Sequence, residues 1–123
     1  MIKIARQDVL ARASEIIKER GWWQDKNSYV EQSKNGKPGR VSLTHALRLV
    51  IAELRGSEYD LWEARYALMA AIGTDHLERW NDNSKTKFSD VLAALDNASK
   101  IEKSWDNHMA WAWIPRKYGK RYS

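Results

Sequence analysis

Along most of the chain, apolar residues recur at three- and four-residue spacing, the period that gathers side chains on one face of an α-helix. Val9, Leu10, Ala13, Ile16 and Ile17 form the first stripe. Gly21 follows it and supplies the left-handed backbone that closes a helix cheaply. Ser42 has the side-chain acceptor expected of an N-cap, and Leu43, Ala46, Leu47, Val50, Ile51 and Leu54 then line one side of a second helix up to Gly56. Ser57 is the next N-cap. Glu58 and Asp60 suit the positive end of the third helix, whose predicted stripe is Leu61, Trp62, Leu68, Met69 and Ile72, closed by Gly73. A short helix is expected over 74–80, followed by the turn formers Asn81, Asp82, Asn83 and Ser84. The last helix is expected to start near Thr86 or Ser89, with Phe88, Val91, Leu92, Leu95 and Ala98 on its apolar face.

The pattern predicts a mostly α fold, a compact bundle of four to five helices. Residues 22–41 lack helical period and contain Asn35-Gly36 and Pro38-Gly39. Asn-Gly between Tyr29-Val30 and Val41 signals a two-residue hairpin turn, so a small β-hairpin and an irregular loop are both open readings between the first two helices. An isolated hairpin is marginal in water and would have to pack through Trp22, Trp23 or Tyr29. The organisation expected is one helical domain over 1–104 and a tryptophan-rich basic tail over 105–123 that packs on it.

Composition narrows the function classes. A chain of 123 residues with 43% hydrophobic and 30% charged residues has the balance of a folded domain. No apolar run approaches the roughly 20 residues that span a bilayer, and the first twenty residues do not form a signal peptide, so the expected location is the cytoplasm and no membrane partner is expected. Without cysteine there is no disulfide framework, thiolate metal site or thiol nucleophile. Charge is uneven: residues 1–56 carry eleven lysines and arginines against six carboxylates, 57–104 six against nine, and 105–123 four against one.

Several short runs carry a family likeness. Arg20-Gly21-Trp22-Trp23-Gln24, Asn35-Gly36-Lys37-Pro38, Leu43-Thr44-His45-Ala46-Leu47, Leu77-Glu78-Arg79-Trp80-Asn81-Asp82 and Val91-Leu92-Ala93-Ala94-Leu95 resemble domain-of-unknown-function family 6197, of actinobacteria and their phages. The likeness spans roughly 8–98. It implies a helical fold and a phage or mobile-element origin, and it brings no activity. Members often carry a small residue or cysteine where this chain has Trp23 and Ser42, so no thiol-dependent role carries over.

Seven tryptophans are the largest departure in composition, and Trp105, Trp111 and Trp113 lie within nine positions. Such rings either seal a core or anchor a partner. Arg116, Lys117, Lys120 and Arg121 alternate with Tyr118 and Tyr122 and, with Lys34, Lys37 and Arg40 of the 22–41 segment, form a candidate nucleic-acid surface in which cations meet phosphates and rings stack on bases. Arg65 projects from the third helical stripe, where a guanidinium needs a partner. With Asn81 and Asp82 it is expected to form a structural polar hub, in which Asn81 and Asp82 serve turn and capping chemistry and not catalysis. His45, His76 and His108 follow no ligand spacing, and no phosphate loop or nucleophile elbow is present, so no metal, cofactor or catalytic residue is expected. The second and third helices are not read as a helix-turn-helix, because Glu58, Asp60 and Glu63 crowd the turn that would approach DNA. The leading expectation is a non-enzymatic protein-binding or regulatory module. Nucleic-acid binding is the alternative, and an anion pocket around Arg65 and His76 is a remote third.

Overall fold

A computed structural model describes residues 4–24, 31, 33 and 36–101. Five helices appear in it: α1 (Arg6–Arg20), α2 (Leu43–Leu54), α3 (Glu58–Ile72), α4 (Leu77–Asp82) and α5 (Phe88–Ser99). The central helix is α1, which packs against α2, α5 and α3, while α3 also closes against α5. The predicted α1 stripe is its buried face, with Val9, Leu10, Ala13 and Ile17 fully enclosed. Val9, Leu10 and Ile17 each contribute about 1.5–3 kcal/mol when taken from water.

The predicted caps at Ser42 and Ser57 are both present. Ser42 Oγ accepts from the His45 amide at 3.2 Å. Ser57 and Asp60 form a reciprocal capping box, with the Ser57 amide donating to Asp60 at 2.8 Å and the Asp60 amide donating back to Ser57 Oγ at 3.3 Å. Gly73 closes α3 in the left-handed region at φ 85°, its amide bonded to Met69 O. At the other end of the bundle the Arg6 guanidinium, on α1, meets Glu63 of α3 at 3.5 Å and also donates to the Ile101 carbonyl just beyond α5.

Three expectations require correction. The short helix is shifted, starting at Leu77 rather than near Thr74, because the Thr74 hydroxyl accepts the His76 amide and His76 Nδ1 then caps α4 by accepting the Arg79 amide. Trp62 is not part of the inner stripe of α3. Leu61, Ala64, Tyr66, Ala67, Leu68 and Met69 are buried, whereas Trp62 is 45% exposed and Ile72 is half-buried. The hairpin is not supported. No strand forms among the described residues, and residues 25–30, which include its first arm, lie outside them. The order at this place comes instead from an isolated parallel bridge between Trp22 and Val41, in which Val41 N donates to Gly21 O and Trp23 N to Val41 O. The tail over 105–123 also lies outside the described residues.

Candidate functional site

Asn81 is the most completely bonded polar side chain of the core. It is 1% exposed, at the end of α4. Its Oδ1 accepts from Trp22 Nε1 at 2.7 Å and from the Leu43 amide at 3.0 Å, and its Nδ2 donates to the Trp23 carbonyl at 3.0 Å and to Asp82 Oδ1 at 2.9 Å. An asparagine amide has two donor hydrogens and two acceptor lone pairs, and all four are used. The Leu43 amide is one of the orphan donors at the start of α2, so Asn81 both caps that helix and pins the segment after α1. Gln24 adds two bonds, donating to the Asn81 and Asn83 carbonyls at 2.9 and 2.8 Å. Phe88, assigned to the inner face of the last helix, is 38% exposed and stacks on Trp22 with centroids 6.4 Å apart. The expected hub is thus present around Asn81 and Asp82, without Arg65.

Arg65 is held elsewhere. Its two terminal nitrogens meet the Glu78 carboxylate oxygens at 3.2 and 3.3 Å, while its guanidinium lies 5.1 Å over the Trp62 ring. The pairing with Arg65 holds Glu78 below the usual carboxylate range, against the opposing effect of its burial. Glu78 fills the place that an external anion would need, so the expected anion pocket at Arg65 and His76 has no free cation to build on.

This pair buttresses an exposed aromatic face. Tyr59 is 44% exposed and Trp62 45%, at i and i+3 on the outside of α3, and Tyr59 donates its hydroxyl to Glu63 at 3.0 Å. Sequence reasoning missed this face because helical spacing places Trp62 within reach of the inner stripe, and only the positions of the neighbouring helices show that no described helix covers it. A second concave feature is an open cleft of about 470 Å³ where the end of α3, the α4–α5 turn and α5 meet; Ile72, Trp80, Thr86 and Ala94 line it, with Lys85, Asp90 and Asn97 among its polar groups.

The predicted basic loop is only partly available to a ligand. Arg40 stacks 4.8 Å over Trp23 and forms a two-pronged pair with Glu31, both bonds at 2.8 Å, so its charge is already engaged. Gly39 packs so closely against the Glu31 backbone that a Cβ there would collide with the Glu31 carbonyl. Lys37 is exposed. Lys34, Trp105, Trp111, Trp113, Arg116, Lys117, Lys120 and Arg121 lie outside the described residues.

A model of a family of unknown function, DUF6197, matches residues 1–101. The chain belongs to this family. The DUF6197 match takes in the whole described bundle, including the Trp80-Asn81-Asp82 run that the fold uses as its polar hub, and ends where α5 has just closed. No curated protein and no solved structure matches the chain.

Proposed function

We propose that this DUF6197 protein is a non-enzymatic binding module that contacts another protein through the exposed outer face of α3. The observation that carries the reading is Trp62, a large ring left almost half exposed beside Tyr59 on a helix whose other sides are packed. Tryptophan, tyrosine and arginine are the residue types that dominate binding energy at protein interfaces, and here Arg65 and Glu78 brace the ring before any partner arrives. A braced side chain loses less conformational freedom on association. Glu58 is exposed four residues before Trp62, whereas Asp60 and Glu63 are engaged by Ser57 and by Arg6 and Tyr59, so the complementary partner surface is apolar with a basic residue at its edge. Trp105, Trp111 and Trp113 belong to the same proposal as further anchors. The module is read as cytoplasmic and, on the family resemblance, of actinobacterial phage or mobile-element origin.

Affinity capture with the intact chain, followed by titration of the captured protein, tests the reading. Trp62→Ala is expected to weaken binding at least 30-fold, the size of a hot-spot truncation of about 2 kcal/mol, with the fold unchanged. A partner that binds Trp62→Ala and wild type equally would refute the α3 face, and loss of binding only in Trp111→Ala or Trp113→Ala would move the interface to the tail.

A further inference from the structure

We propose that the outer face of α2 is a second, separate binding surface, for the phosphate backbone of nucleic acid, formed by Arg20, Lys37, His45, Arg48 and Arg55. It is independent of the α3 face. On α2, His45, Arg48 and Ala52 follow the i, i+3, i+7 spacing that keeps them on one side, and Arg55 continues that line at the C-cap. Arg48 and Arg55 are exposed, and among the described residues neither has an ion pair. The neighbouring carboxylates are committed elsewhere: Glu53, the one acidic residue of α2, binds Arg12 at 2.9 Å, and Glu15 and Glu19 approach the same guanidinium at 3.5 and 3.8 Å. Arg20 reaches the surface from the end of α1, its Nε fixed on the Gly39 carbonyl at 2.9 Å, which also sets the short segment that presents Lys37. Burial disfavours protonation of His45, and Arg20 and Arg48 lie near enough to add to that effect. Arg20 and Arg48 thus flank His45 on one surface.

The backbone at Arg55 adds an independent observation. Arg55 holds φ 57° and ψ 41°, the left-handed region, and it is the one non-glycine residue described there. Glycine or asparagine takes this C-cap conformation at lower cost, so the position retains a cation against local preference. From Arg48 to Arg55 the face extends about 10 Å, with Arg20 and Lys37 on the segments beside it, and one nucleic-acid strand presents a phosphate about every 3.4 Å of helix axis. A row of cations of that length fits a chain of phosphates better than a single ion. It fits a lipid surface less well, because Ala52 stands between the charges and the exposed Leu54, nine residues from His45, lies on the opposite side of the helix.

Fluorescence anisotropy of the full chain with labelled 20-nucleotide single-stranded and duplex DNA tests the proposal, with circular dichroism melting of each variant as the folding control. Affinity is expected to fall about 100-fold between 50 and 200 mM salt, as for three to four neutralised phosphates. Arg48→Gln should reduce the logarithmic salt slope by about one and weaken binding about tenfold at 0.1 M salt. Arg55→Gly should weaken binding similarly while melting at the same or a higher temperature, which separates loss of contact from loss of fold. No binding at 50 mM salt, or wild-type affinity retained by both variants, overturns the proposal. Binding to phosphatidylserine vesicles without DNA binding overturns it in favour of a membrane, and displacement of DNA by inorganic phosphate beyond that by chloride of equal ionic strength overturns it in favour of a single-ion site.

Discussion

Trp22 and Trp62 are the same residue in opposite circumstances. The Trp22 indole donates to a buried asparagine and stacks on Phe88, so both its polar edge and its apolar body are satisfied within the fold. Trp62 lies 45% exposed on α3, braced from one side by Arg65. A tryptophan becomes structural when the fold provides a partner for its N–H as well as cover for its ring, and the ring alone does not decide which it will be.

The comparison is broken most severely at Asn81. Asn81→Ala leaves the Trp22 indole, the Leu43 amide and the Trp23 carbonyl without their partner, and unsatisfied buried groups cost about 1–3 kcal/mol each. Urea denaturation is expected to show a loss of about 3–4 kcal/mol, near the upper end for a single substitution. Next in size, Trp22→Phe removes the indole donor together with part of the ring that stacks on Phe88 and should cost about 1–2 kcal/mol, whereas Trp62→Ala should change stability by no more than about 0.5 kcal/mol. Equal losses for the two tryptophans would erase the distinction between them.

Glu78→Gln tests the brace behind Trp62. The pair is partly exposed, so its loss should cost about 1 kcal/mol at neutral pH. Because Glu78 is held below the ordinary carboxylate range, its stabilisation is complete above that range and disappears as pH falls through the lowered value. Acid titration of wild type and Glu78→Gln should therefore converge at low pH. The smallest effect is expected at His45, whose pKa is lowered in the fold by burial and by Arg20 and Arg48. The unfolded chain then binds the proton more readily, so wild-type stability should rise with pH through the window just below the ordinary histidine value. His45→Gln should flatten that rise in thermal melts between pH 5 and 7, values chosen around the ordinary pKa of about 6.5.

What could be read in the sequence follows the range of the forces involved. Helices α1, α2 and α3 were legible because their determinants are local: apolar spacing, Ser42 and Ser57 as caps, and glycine at the close of α1 and α3, whereas α2 closes on Arg55, one residue before the expected Gly56. The start of α4 was not, since a histidine ring nitrogen acts as its cap, outside the usual set of serine, threonine, aspartate and asparagine. Asn81 was correctly placed in capping chemistry, but the helix it caps is α2, distant in sequence, and nothing local names that partner. Arg65 needed a counter-charge, and the sequence offered Asp82 as readily as the Glu78 that provides it. The exposure of Trp62 depends on where every other helix lies, so periodicity could give its angle on α3 but not its surroundings. The basic character of the first half was visible as a count of charges, whereas which cations stay free became clear only once Arg12 and Arg40 were seen to be engaged.

The bonds converging on Asn81 join stretches 38 to 59 residues apart along the chain. Closing loops of that length costs entropy before any contact repays it, so these bonds are expected to form after the α1–α2 pair has already met. In kinetic terms the hub is a latch and not a nucleus. Weakening it should hasten unfolding far more than it slows folding, and the native lifetime of the bundle would then be set by one asparagine.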